Sequence, residues 1–209
     1  MLSIVILAGG RSARMGQDKA WLPIEGQPLV MHVIRRVLPL AGEFILSTNR
    51  PEPFAHLAAE IPVPLRFAAD LHPGAGPLAG IEAGLSAASN DLALVLAIDM
   101  PFVSLALLRF MIGQAPDYDV VIPASPDPGA STSRYEPLHA LYRRTCLPAV
   151  SARLAAGDRQ VISFLSDVKV RTLSPAETAI HDPAGLSYFN VNTPADWDAA
   201  QQMLKRAGD

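Results

Sequence analysis

A single cysteine, Cys146, in 209 residues rules out an internal disulfide framework, and one thiol cannot build a cysteine-rich zinc site. No cysteine-centred signature surrounds it, so it reads as a small buried apolar side chain in a reducing compartment. Positive charge is not in excess either. The 17 Lys and Arg against 20 Asp and Glu give a formal charge of −3, which argues against general nucleic-acid binding. Charged residues make up only 18% of the chain and apolar ones half, a composition that belongs to a folded core rather than to disorder. No stretch approaches the ~18 uninterrupted apolar residues of a membrane span. The apolar start, Met1-Leu2-Ser3-Ile4-Val5-Ile6-Leu7-Ala8, has no basic leader, and glycines and arginines stand where a cleavage site would lie. It reads as a first strand, and the protein as cytoplasmic. The length suits one domain with a real core, and neither repeat, low-complexity tract nor linker divides it.

Three apolar runs, at 4–7, 44–47 and 92–98, are unbroken rather than alternating, as strands buried on both faces should be. Between the first two, Val30, Val33, Ile34, Val37 and Leu38 recur at helical spacing, closed by Pro39 and Gly42. A second helix is expected over 78–88. Strand and helix in alternation imply a three-layer α/β domain with a mainly parallel, Rossmann-like sheet. The second half is less regular: strands are expected at 118–124, 137–142 and 168–173, and helices at 145–155 and 160–165. Thr193-Pro194-Ala195-Asp196 marks the start of a last helix, with a capping Thr, Pro at the first position and an acid at the third. The chain is read as one domain with a first half of about 1–115 and a second half of about 116–209.

The densest chemistry follows the first strand, in Leu7-Ala8-Gly9-Gly10-Arg11-Ser12-Ala13-Arg14-Met15-Gly16-Gln17-Asp18-Lys19. Ligands of parallel sheets bind beyond the carboxyl ends of strands. Glycines let backbone N–H groups approach a ligand, and Arg11, Arg14 and Lys19 add three cations, a combination suited to a triphosphate. Two familiar phosphate loops do not fit. Gly-x-Gly-x-x-Gly fails on the spacing of Gly9, Gly10 and Gly16, and in the Walker pattern Gln17 stands where Lys is required. Asp99 ends the most apolar run, where a carboxylate and phosphate oxygens could share Mg²⁺. It could equally cap a helix after Pro101.

The loop Leu-Ala-Gly-Gly-x-Ser-x-Arg-Met-Gly-x-Asp-Lys resembles the signature of molybdenum cofactor guanylyltransferases, within the wider nucleotidyltransferases of Rossmann-like fold. Similar segments recur in order across the chain: Ser47-Thr48-Asn49-Arg50, Asp70 with Gly76-Pro77-Leu78-Ala79-Gly80, Ala97-Ile98-Asp99-Met100-Pro101, Pro137-Leu138-His139-Ala140-Leu141-Tyr142 and Phe189-Asn190-Val191-Asn192-Thr193-Pro194. The resemblance implies transfer of GMP from GTP to the terminal phosphate of the molybdenum-bound pterin cofactor, releasing pyrophosphate. It assigns nucleotide contacts to Leu7, Ala8, Gly9, Gly10, Arg11, Lys19, Asn49, Asp70, Gly80 and Asp99. It assigns Mg²⁺ to Asp99 and catalytic charge stabilisation to Arg14, Lys19 and Asp99. Molybdoenzyme maturation proteins become candidate partners, and neither nucleic acid nor membrane is implied.

Other residues stay open. Arg134, Arg143, Arg144 and Arg159 are candidates for holding an anionic acceptor. His139, within an apolar stretch, is expected to be a hydrogen-bonded structural histidine. Asn190 and Asn192, expected on one face of a strand, line an acceptor pocket or only cap the last helix. Alternative readings are a CTP-dependent transferase acting on the same cofactor, a sugar- or polyol-phosphate nucleotidyltransferase, and a nucleotide-binding module without catalysis. Relatives that use CTP carry Leu-Ala-Ala-Gly where this chain has Leu7-Ala8-Gly9-Gly10.

Overall fold

The computed structural model describes residues 1–9, 18–125 and 134–208. The chain opens with strand β1 (Leu2–Leu7), a hairpin of β2 (Pro23–Ile24) and β3 (Gln27–Pro28), helix α1 (Leu29–Val37) and strand β4 (Ala41–Ser47). Strand β5 (Leu65–Ala68), helix α2 (Pro77–Ala87), strand β6 (Leu92–Ala97) and helix α3 (Leu105–Gln114) follow. The second half adds β7 (Val120–Pro123), β8 (His139–Arg143), α4 (Leu147–Ala155), β9 (Val170–Leu173), α5 (Pro175–His181) and α6 (Pro194–Gly208).

Seven strands form one sheet in the order β5-β4-β1-β6-β8-β7-β9. Among the described strands of this sheet, β8 alone runs against the others. Side chains of a strand alternate between faces, and here both faces are apolar. Ile4, Ile6, Phe44, Leu46, Leu94 and Leu96 pack against α1 and α3. Val5, Leu7, Ile45, Ala93 and Val95 face α2 and α4. That arrangement is the expected three-layer α/β fold, and it explains why the first three strands read as unbroken apolar runs. Helix α2 comes especially close to the sheet at Gly84, where an added Cβ would stand 2.3 Å from Val5 Cγ1.

Several local expectations need correction. Residues 160–165 do not form an α-helix: a turn leads into a short 3-10 helix, Ser163–Asp167, which covers only the end of the expected span. Residues 189–192 belong to no strand or helix. The predicted strand at 118–124 spans only Val120–Pro123, and just before it the Asp119 carboxylate accepts from Thr145 Oγ1 (2.6 Å) and from the Lys169 N–H (3.0 Å). The Thr145 hydroxyl is the main reason its carboxyl lies below the usual carboxylate range.

Because β8 is antiparallel, its C-terminal Arg143 pairs with Leu92 at the start of β6. Arg143 is therefore at the end of the sheet opposite Asp99, where it donates to the carbonyls of Tyr118, Ala115 and Pro116 and pairs with Asp91. It is a structural tie between chain segments and not an acceptor-holding group. The exposed Arg144 follows at the same end, its N–H on the Asp91 carbonyl. Cys146 is fully buried, and burial pushes its thiol up to about 12, as its apolar reading requires.

Candidate active site

The carboxyl ends of β4, β1 and β6 lie side by side, Leu7 pairing with Ser47 and with Ala97. The register continues into the loops. The Ala8 N–H donates to Ser47 O (3.0 Å) and the Ile98 N–H to Leu7 O (3.3 Å), so Gly9 and Asp99 leave the sheet into one hollow of about 350 Å³. Lys19 reaches back into it from a short 3-10 turn that begins with an Asp18 cap on the Ala20 N–H. Its Nζ donates to Asp99 Oδ2 at 3.0 Å and to Asn192 Oδ1 at 2.7 Å. Residues from the first loop, the central strand and the last helix's entry thus converge on one ammonium group. The Lys19 and Asp99 side chains are mostly enclosed, 16% and 17% exposed, which strengthens the ion pair relative to one in open water, while Asn192 closes the group from the exposed side.

A second hollow, of about 810 Å³, adjoins the first and shares Gly9, Asp18, Asp70 and Gly76 with it. Asn49 and Asp70 meet here, the Asp70 N–H donating to Asn49 Oδ1 at 2.8 Å, so each fixes the other at the tips of β4 and β5. Gly74 (φ +81°) and Gly76 (φ +76°) make the turn into α2, a backbone conformation that L side chains rarely adopt. The turn brings the α2 N-terminus, with Pro77 in its first turn, to the wall of both hollows. The helix dipole there favours an anion.

Residues 4–171 match the model of the MobA-like NTP transferase domain. The chain belongs to this family. A probable molybdenum cofactor guanylyltransferase of Carboxydothermus hydrogenoformans is 35% identical over 94% of this chain and 93% of its own length. A molybdenum cofactor guanylyltransferase of Desulfosudis oleivorans is 30% identical over 96% and 95%. Among solved structures, molybdopterin-guanine dinucleotide biosynthesis protein A of Archaeoglobus fulgidus superposes with a TM-score of 0.80 at 26% identity, covering 98% of this chain and all of that one.

In this MobA-like nucleotidyltransferase, Leu7, Ala8, Gly9, Lys19, Asp70, Gly80 and Asp99 line the first hollow, and Asn49 the second. Gly10, Arg11 and Arg14 lie outside the described residues. Gly80 is buried within α2, where a Cβ would come to 3.0 Å from Ser47 Oγ and 3.1 Å from Leu7 Cδ2. Its missing side chain thus lets the helix close on the strand tips, besides contributing to the wall. Arg159 touches the Gly74 carbonyl at 3.3 Å, under the turn into α2, and Arg134 is exposed beyond β7. Asn190 and Asn192 both line the hollow, with Val191 turned into the core.

His139 departs from expectation. It is fully buried, yet neither ring nitrogen has a hydrogen-bond partner among the described residues. Burial pushes its pKa down to about 4, so the ring is neutral. One residue of the wall had no expectation attached to it. Asp18 lines both hollows, with Arg50 Nη2 3.9 Å from its Oδ2. The signal was present, since an Asp directly before Lys19 in a glycine-rich loop is a polar group at a strand end.

Proposed function

We propose that this chain transfers GMP from GTP to the terminal phosphate of the molybdenum-bound pterin, releasing pyrophosphate and forming the guanine dinucleotide cofactor. The observation that carries the reading is the bridge of Lys19 to both Asp99 and Asn192, at the strand ends that open into the first hollow. An ionised phosphate is already a nucleophile, so the reaction needs positioning and charge stabilisation and no general base. Lys19 would neutralise charge on the reacting phosphates as the bond to the leaving pyrophosphate breaks. The α2 N-terminus would hold a phosphate oxygen through its N–H groups, while Asn49 and Asp70 contact the nucleoside. Arg11 and Arg14 belong to the same cationic loop. Molybdoenzyme maturation proteins would receive the product, in the cytoplasm. Among the described residues no helix is long and apolar enough to cross a membrane.

Magnesium suits the donor set. Asp99 is a hard carboxylate beside the Asn190 and Asn192 amides, and no thiol or imidazole is among the described residues that line the hollow. Mg²⁺ takes one or two carboxylates together with phosphate oxygens, and Asp99 would hold it. Bound there, it supplies charge neutralisation on those oxygens.

Base choice is the direct test. Gly9 has no left-handed backbone angle, and a Cβ built on it meets Ser47 O at 3.7 Å, an ordinary contact. Gly9→Ala should therefore fold normally. We expect the natural chain to prefer GTP over CTP. The added methyl should crowd a purine beside the loop and lower turnover with GTP by roughly tenfold, with CTP turnover little changed. Pyrophosphate release and product mass, measured with both triphosphates and a pterin acceptor, decide the matter. Equal losses for both bases would return Gly9 to a backbone role, and a natural preference for CTP would overturn the guanylyl reading.

A further inference from the structure

The hollow is walled on one side by Asn190 and Asn192, in a segment outside the sheet. Two devices hold it. Val191 donates its N–H to Asp99 O at 2.9 Å and packs, fully buried, with Leu22, Phe102 and Ala200. That small core joins the chain just after Lys19, the chain just after Asp99, and helix α6. The second device is Asp196. Its Oδ2 accepts the N–H of Asn192 at 2.9 Å and that of Thr193 at 2.8 Å, while its own N–H donates to Thr193 Oγ1 at 3.2 Å.

Half of this is an ordinary cap. A capping box needs the Thr193 hydroxyl on the Asp196 N–H and the Asp196 carboxylate on the Thr193 N–H. The bond to Asn192, one residue upstream of the cap, is not part of that motif. It fixes the backbone of the residue whose side-chain oxygen accepts from Lys19. Partial burial opposes ionisation of Asp196, but hydrogen bonds from Asn192 and Thr193, with the nearby Lys19 charge, outweigh it and hold the carboxyl below its usual range.

We propose that Asp196 is a positioning residue for nucleotidyl transfer: by clamping the Asn192 backbone it aims the Asn192 amide at Lys19 and so sets where the ammonium stands relative to Asp99. The proposal rests on the transferase reading of the site. A lysine is a point charge on a flexible four-carbon stem, so its place depends on the partners its N–H groups find. A misplacement of ~1 Å in a reacting constellation costs up to about 10²-fold in rate, and losing one of several supports costs part of that.

The test uses the full-length protein with GTP, Mg²⁺ and a pterin acceptor, following pyrophosphate release. Asp196→Ala should lower kcat about tenfold and leave KM for GTP within about twofold. Asn192→Ala should lower kcat at least as much, and the double variant should be no slower than Asn192→Ala alone, because one residue acts through the other. Thr193→Ala removes the cap hydroxyl and should lower Tm about as much as Asp196→Ala does, with kcat within about twofold of natural. Asp196→Asn keeps an acceptor oxygen and should recover most of the rate. Losses that multiply in the double variant, or a Thr193→Ala as slow as Asp196→Ala, would overturn the proposal and leave Asp196 a helix cap. Natural kcat in both Lys19→Ala and Asn192→Ala would instead sink the transferase reading of this hollow, and the proposal with it.

Discussion

Asp99→Ala should lose on the order of 10²–10³ in turnover while remaining folded. Asp99 follows β6 at its open end, and its backbone carbonyl, which accepts from Val191, survives the substitution. What the side chain loses is an ion pair with Lys19, whose ammonium keeps its bond to Asn192 Oδ1, and no part of the apolar core goes with it. Stability and rate therefore separate. Lys19→Ala should both weaken GTP binding and slow transfer, since a cation on the reacting phosphates acts in the ground state and the transition state alike. Lys169→Ala removes a cation that lies over the Tyr118 ring, at the opposite end of the sheet, and should change neither. Circular dichroism establishes the fold, and initial rates across a magnesium titration report the chemistry. Near-natural turnover in folded Asp99→Ala would refute the assignment. Equal losses from all three substitutions would reduce the site to general electrostatics.

Much of this arrangement could be read from the chain because it depends on local pattern. Unbroken apolar runs marked β1, β4 and β6 as strands buried on both faces, and glycines with cations after β1 marked a phosphate site at a strand end. Asp99 and Lys19 were singled out separately, and the pairing of Leu7 with Ala97 accounts for their meeting. Strand direction carries no such local pattern. Nothing in Pro137–Tyr142 distinguishes a parallel from an antiparallel strand, yet the reversal of β8 carries Arg143 to the end remote from the hollow. Helix α5 was missed although Ser174 and Glu177 form a complete capping box, a signal that two prolines and a short apolar pattern obscured. Strand β5, Leu65-Arg66-Phe67-Ala68, is too short and mixed at the sheet edge to form an apolar run, and Asp70 at its end is what marks it. In the sequence Asn192 fits an acceptor wall and a helix cap alike. The geometry divides those roles: Asp196 and Thr193 make the cap, which frees the Asn192 amide for Lys19.

Lowering the pH from 7.5 to 5 should weaken the fold, and His139→Leu should remove much of that weakening. His139 opens β8 with its ring edge-on to Tyr188 at 5.3 Å, fully buried and without a hydrogen bond at either nitrogen among the described residues. Burial is what holds its pKa at about 4, and the charge of Asp182 offsets this only in part. An unfolded histidine binds its proton near pH 6.5. Between these values the unfolded chain carries a proton that the native chain refuses, so stability falls as the pH drops below about 6.5 and continues falling to about 4. The full effect is on the order of 3 kcal/mol, a large share of an ordinary domain's stability. Carboxylates held below their usual range, Glu43, Asp119, Glu177 and Asp196, keep most of their contributions down to about pH 5 and lose them as the pH falls further. Glu136, raised by burial, has the opposite sign and gains as acid is added. A leucine at 139 replaces two unpartnered polar atoms with apolar ones of similar volume, an exchange that is close to neutral or favourable at pH 7.5. The urea midpoint of His139→Leu should therefore change little between pH 7.5 and 5, with the slope of the transition constant, while that of the natural chain falls. Midpoints that fall in parallel would place the acid sensitivity on other groups and leave His139 an inert part of the core.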